Sequence, residues 1–498
     1  MISFKINNKQ EKLSYIAFIF IFLIIVFYLA LASKSLWLDE CIAAWVTLSN
    51  YQDVLIRSSE NLWQSSFYYI LLYFWKTLFG NNEFILRLPS YIAIIISTWI
   101  VYLSGKLIKD KICGLIAAMA FLLRDGIFAE VAISARSYAL ALCCSIIATY
   151  AILNWIQNKN RIYLAIWLFS TVIATYFHYM YAGVILAHVF LLVATSTYLT
   201  KKELICLFLS GILLLTPTFD HIITSLSGDS IAYTELPSFF ILLCYYSLPL
   251  IFFVSFIILF MKILKGKLKI PFCKKKYIFT ALILGWLIPP ILLFVITHIF
   301  NASFFHLRYF LWTSPFLALT IGLLLSSIYP LKTRFLCVIL LALFGFDYLS
   351  NQHGYNENWK EAVKQINNIA NDNNPLVISY SGFIESERLL WLTTQTHKDY
   401  LSAPLQYYGV NSNIIPIPAD FSTSWGDKYF EEIIIPQITQ FQNVLYVALM
   451  QRPVPNSNSY NKFRYSYEYH LKYFKEHNLF FNEIGRFGKV ILFSLDKE

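Results

Sequence analysis

Long apolar runs dominate the first 350 residues of this 498-residue chain. They fall at roughly 14–33, 84–105, 112–130, 137–156, 162–177, 179–199, 203–219, 238–262, 277–299, 308–329 and 332–349. Most approach the ~20 apolar residues needed to cross a bilayer as a helix. A chain built this way folds as a polytopic α-helical membrane protein with about eleven transmembrane helices. Composition agrees: 58% of residues are hydrophobic and 14% charged, against about 25% charged in soluble domains. The stretch 162–199 has no charged break. The first run ends in Ala30-Leu31-Ala32 before Ser33, which resembles a signal-peptidase site. The run is long for a signal core and many spans follow it, so it reads as an uncleaved first helix.

Orientation follows from the basic residues. Lys5, Lys9 and Lys12, then Lys106, Lys109 and Lys111, then Lys159 and Arg161, then Lys201 and Lys202, then Lys265 to Lys276, then Lys332 and Arg334 occupy alternate connections. The positive-inside rule puts these in the cytoplasm. Residues 34–83, a loop near 220–236 and everything after about 350 then lie outside. The same distribution accounts for the net charge of +10 without nucleic acid, since no basic face is interleaved with aromatics. Most of the eight cysteines lie in apolar runs, none lies beyond 337 and no CxxC pattern occurs, so neither a disulfide framework nor a thiolate metal site is predicted.

Two domains are expected. Residues 1–350 form the membrane domain, with the long outer loop 34–83. Within that loop FYYILLYFWKTLFG is too short to span comfortably and reads as a helix lying in the interface. A plain transmembrane helix there would invert everything downstream, which the charge pattern disfavours. Residues 351–498 change character. NENWKEAVKQINNIANDNN has helical spacing, PLVISYSG, FQNVLYVALM and KVILFSLD are β-like, and EYHLKYFKEH is helical again. A small C-terminal α/β domain on the outer face follows.

The candidate chemistry gathers at the outer ends of the spans. SLWLDECIAAWV places Asp39 and Glu40 just after the first span. Carboxylates at a low-dielectric boundary act as a general base or hold a cation; the plainer readings are a solvated loop or a helix cap. Arg136 in AISARSYALAL suits bidentate phosphate binding, or a snorkelling anchor. His178 in ATYFHYMYAG, Arg308 in HLRYFLWTSPFLAL and Arg87 in EFILRLPSY occupy comparable positions. Arg124 with Asp125 reads as a local ion pair, and His188 and His298 as structural. Several cations on the side of Asp39 and Glu40 suit an anionic, phosphate-bearing substrate. Neither a Walker motif nor GxGxxG occurs, which disfavours a nucleotide.

These segments, in this order, resemble membrane glycosyltransferases of the C superfamily. The branch most similar is the bacterial one related to protein O-mannosyltransferases and the lipid A aminoarabinose transferase. The DE pair, SSFYYILLYFWKTLFGNNEFILRLPS, SARSYALAL, TYFHYMYAG, RYFLWTSPFLAL and NWKEAVKQI each resemble a family segment. The resemblance implies transfer of a sugar from a polyprenyl-phosphate carrier to a cell-envelope acceptor, at the outer face of the cytoplasmic (inner) membrane. It implies Asp39 as base, with Glu40 orienting the acceptor or binding a cation. Arg136, Arg308 and His178 would hold the phosphate, with Tyr138 and Tyr309 in the same segments and Arg87 a lesser candidate. One departure stands out. Where relatives carry HPP or EKPP, this chain has Trp63, Gln64, Ser65 and Ser66. That leaves a divalent cation open, with Glu40 or Glu60 as candidate ligands and Asn61 beside them. The rival classes are a lipid-linked glycan flippase or other transporter, and a non-catalytic scaffold. A transporter places ionisable groups at mid-membrane on broken helices.

Overall fold

Helices dominate this chain because its backbone groups, in apolar surroundings, must be satisfied within each segment. The computed structural model describes residues 19–26, 34–60, 66–123, 131, 134–196, 198–216, 219, 236–246, 254–256, 258–259, 267–268, 274–299, 307–350, 356–450 and 467–496. The main helices are α1 (Leu38–Val46), α2 (Tyr51–Glu60), α3 (Ser66–Phe79), α4 (Glu83–Ile108), α5 (Lys111–Leu122), α6 (Tyr138–Asn158), α7 (Ile162–Phe177), α8 (Val184–Ala194), α9 (Lys201–Leu215), α10 (Phe239–Tyr245), α11 (Lys274–Ile299), α12 (Ser314–Ser326), α13 (Leu331–Ser350), α14 (Trp359–Asn373), α15 (Gln395–Leu401), α16 (Ala403–Tyr408) and α17 (Tyr467–Glu476).

Among the described residues four helical stretches are long and apolar enough to cross a membrane: Glu83–Ile108, Tyr138–Asn158, Tyr277–Ile299 and Arg308–Ser326. Shorter apolar helices cover Lys111–Leu122, Ile162–Phe177 and Tyr179–Ala194. Much of the expected spans 14–33 and 238–262, the outer loop near 220–236 and the Arg124–Asp125 pair lie outside the described residues.

The chain divides into two compact units, and the division does not follow a single boundary near 350. One unit comprises Met1–Ala32, Ser58–Leu71 and Arg87–Gly354; the other comprises Ser33–Arg57, Leu72–Leu86 and Tyr355–Glu498. Two pieces of the expected outer loop therefore group with the C-terminal domain.

The first unit is a helical bundle. Small residues set its closest approach. A Cβ on Gly322 of α12 would fall 2.7 Å from the Cys113 carbonyl oxygen and 2.8 Å from the Ala117 Cβ of α5. Only glycine lets these backbones meet, the usual device where lipid supplies no hydrophobic drive. The segment just before α6 is fixed from α4, where the Ser90 hydroxyl donates to the Ser134 carbonyl at 2.6 Å.

The second unit is built on a five-stranded sheet. Its strands are β1 (Leu376–Tyr380), β2 (Asn413–Pro416), β3 (Val444–Leu449), β4 (Phe480–Phe487) and β5 (Val490–Asp496), in the spatial order β2-β1-β3-β5-β4. β1 pairs parallel to β2 and β3, while β5 runs antiparallel to β3 and β4. β1 and β3 are buried along their whole length, as their near-continuous apolar sequences require. The three β-like segments and the helix at EYHLKYFKEH are where the sequence pattern put them. Hydrogen bonds tie the loop pieces to this domain. The Leu36 N–H donates to the Tyr408 hydroxyl at 2.9 Å, the Tyr407 hydroxyl donates to the Asn81 carbonyl at 2.9 Å, and Lys360 pairs with Glu83 at 2.9 Å.

Candidate functional site

Within the helical unit, three breaks in helical structure bring the cationic candidates together. The first is the turn Ser134–Ser137, which leads into α6 at Tyr138. The second is His178, an extended residue that ends α7 and begins a 3-10 turn over Tyr179–Gly183. The third is the 3-10 turn Leu307–Thr313, which precedes α12 and carries Arg308 and Tyr309.

Tyr138 is the hub. Its ring lies 5.7 Å from the Arg136 guanidinium carbon and 5.8 Å from that of Arg308. Both distances are within cation–π range. The His178 ring lies 5.0 Å from Tyr138 and 4.9 Å from Tyr309. The Tyr181 hydroxyl donates to the Arg308 carbonyl at 3.4 Å, tying two of the breaks together. Gly183 makes this approach feasible: a Cβ there would sit 2.6 Å from the Trp312 ring. Arg136, Tyr138 and His178 are all buried. Arg87 is buried too. It lies one turn before Ser90 on α4, whose hydroxyl also donates to the Arg136 carbonyl at 3.3 Å. Two guanidiniums near one buried ring hold positive charge where water screens little, which favours an oxyanion.

The acidic candidates belong to the other unit. Asp39 and Glu40 occupy the first turn of α1. Glu40 is fully buried, and its carboxylate accepts the Trp37 N–H at 3.1 Å at the start of α1. This is the helix-cap alternative of the sequence reading. Among the described residues no three His, Cys, Asp or Glu side chains form a metal site. The Glu60 side chain, Asn61, Trp63, Gln64 and Ser65 lie outside the described residues. Asp39 is half-buried.

Sequence reasoning missed the neighbours of Asp39. Glu357 is buried, and its Oε2 accepts the Leu38 N–H at 2.8 Å and the Trp359 indole N–H at 3.2 Å. Burial pushes this carboxyl up to about 7; the two donors and Lys489 oppose the rise, and the charge of Asp39 adds to it. Glu385, which accepts from the Tyr400 hydroxyl at 3.1 Å, is also raised, first by burial and further by Asp39. The one available signal for Glu357 was its place in NENWKEA, a segment read for its helical spacing and its family resemblance.

Residues 66–220 match the family described as dolichyl-phosphate-mannose-protein mannosyltransferase. ArnT from Cupriavidus metallidurans, solved with undecaprenyl phosphate, superposes with a TM-score of 0.58 at 11% identity, covering 96% of this chain and 97% of that one. Its apo state gives 0.55 at 12% identity over the same shares. The chain shares the fold of these ArnT structures. The apo oligosaccharyltransferase of Archaeoglobus fulgidus is also similar, with a TM-score of 0.51 at 13% identity over 89% of this chain and 70% of that one. No curated protein matches in sequence. The shared fold and the apolar helices make this a multi-pass membrane protein.

Proposed function

We propose that this protein is a glycosyltransferase that moves a sugar from a polyprenyl-phosphate carrier to a cell-envelope acceptor. The observation that carries the reading is the pair Arg136 and Arg308 flanking the Tyr138 ring, in a fold shared with an undecaprenyl-phosphate-bound structure. The two guanidiniums and His178 hold the phosphate of the donor, and Tyr138 and Tyr309 fix their directions. Arg87 supports the same region from α4. Asp39 takes the proton of the acceptor hydroxyl. The freed oxygen attacks the anomeric carbon, the bond from that carbon to the phosphate oxygen breaks, and the carrier leaves as polyprenyl phosphate. The arginines stabilise the charge that grows on the leaving group. Glu40 serves the reaction by holding the start of α1.

The Lys/Arg pattern supports placing Asp39 and the C-terminal domain outside the cytoplasmic membrane. The transporter alternative calls for ionisable groups at mid-membrane, yet α6 and α12 contain no charged residue. The test is turnover by the purified protein with a polyprenyl-phosphate sugar and extracted envelope acceptors. Release of polyprenyl phosphate with glycosylated product is expected. Movement of the intact donor across a vesicle bilayer without bond cleavage would overturn the reading.

A further inference from the structure

The hydroxyl of Ser137 is out of place for an ordinary helix start. Ser137 is the N-cap of α6, where a serine side chain normally accepts a backbone N–H, yet it makes no such bond. The residue is completely buried, and its Oγ finds no hydrogen-bond partner among the described residues. A buried hydroxyl left in that state is costly, and alanine would avoid the cost.

Its surroundings point to what it serves. α6 is 21 residues long, so a full helix dipole ends here with backbone N–H groups that lack intrahelical acceptors. Arg136 precedes Ser137 and is itself buried. The residue that follows, Tyr138, is the ring approached by both Arg136 and Arg308. A hydroxyl donor, helix N-terminal donors and two guanidiniums together make a set suited to a phosphoryl group.

We propose that Ser137 Oγ donates a hydrogen bond to a phosphoryl oxygen of the lipid carrier, seated at the N-terminus of α6 with Arg136 and Arg308. The inference rests on the polyprenyl-phosphate reading above and deepens it by locating the phosphate. The arginines supply charge; Ser137 and the helix end supply direction. No change of bonding is involved, only recognition.

The test is direct binding to the full chain in detergent. The probe is a polyprenyl monophosphate, and the corresponding polyprenol is the phosphate-free control. Ser137→Ala is expected to lower affinity for the monophosphate roughly tenfold and to leave polyprenol binding unchanged. Its thermal stability should equal or exceed wild type, because an unpaired buried hydroxyl has been removed. Unchanged monophosphate affinity in Ser137→Ala overturns this inference and leaves the donor reading standing. Equal weakening of both lipids, with lowered stability, makes Ser137 structural and also overturns it. A wild-type protein with no preference for the monophosphate overturns both readings.

Discussion

The Glu357 carboxylate accepts the backbone N–H of Leu38 at 2.8 Å, across 319 residues of chain. Leu38 opens α1, and Asp39 is its next residue. The C-terminal domain thus closes the end of the helix that carries the candidate base. The bond has an electrostatic cost, because burial raises the Glu357 carboxyl from 4.5 to about 7 and the charge of Asp39 opposes its ionisation.

A stability prediction follows from that shift. Between 4.5 and about 7 the folded state binds more protons at Glu357 than the unfolded state does, so this contribution to stability falls as pH rises. It is fully present below the lower value and lost above the upper one. A glutamine side chain in its place would be neutral throughout and keep an acceptor for Leu38. Glu357→Gln should therefore flatten the loss across this window and be the more stable protein at its alkaline end. Thermal unfolding of both proteins at the two ends of the window tests this. Parallel pH profiles would show that Glu357 does not titrate there.

Asp39 and Glu40 are adjacent, but their surroundings give them different work. Asp39→Asn keeps shape and removes the proton acceptor, so turnover should fall by about 10²–10⁴ while the protein still folds. Glu40→Gln preserves an oxygen for the Trp37 N–H and should retain most activity. Glu40→Ala removes the acceptor of the Trp37 N–H and should cost about 1–3 kcal/mol of stability. Turnover normalised to folded protein separates the three. Equal losses in Asp39→Asn and Glu40→Gln would mean that the charge of the pair matters rather than a single base.

Parts of this arrangement were legible in the sequence because they are local. Arg136, His178 and Arg308 stand out as charged or polar residues at the ends of apolar runs, and the structure brings them around Tyr138. β1, β3 and β5 are apolar enough to read as strands. β2 is only four residues long, and β4 carries a register shift between Glu483 and Gly485, so neither presents a clean alternating pattern. The grouping of residues 33–57 with the C-terminal domain depends on contacts such as Leu36 with Tyr408, which no local pattern encodes. Glu357 escaped notice for the same reason: a carboxylate in a polar segment looks solvated until its distant donor is known. Glu40 was visible, but its capping role depends on α1 beginning at Leu38.

Orientation is open to a simple test. If the Lys/Arg clusters mark the cytoplasm, a reporter fused just after residue 355 should be active only outside, and one fused near Lys275 only inside. The reverse pattern would put Asp39 in the cytoplasm and remove the proposed acceptor from its reach.

The arginine pair gives the most discriminating prediction, because Arg136 and Arg308 approach the same ring from different elements. Each should make a charge-assisted hydrogen bond to the donor phosphate, so Arg136→Ala or Arg308→Ala should cost about 1.5–3 kcal/mol of donor binding, roughly ten- to a hundredfold. Acceptor affinity should change little. Groups that share one ligand do not act independently, so the double variant should lose less than the sum of the single losses. Lysine restores the charge but not the planar fork, so Arg136→Lys should recover only part of the affinity. The measurement is donor affinity for the two single variants, the double variant and Arg136→Lys, each checked for folding. Additive losses would place the two guanidiniums on separate ligands. Unchanged donor affinity throughout would make them anchors at the membrane surface, and the phosphate site would have to be sought elsewhere.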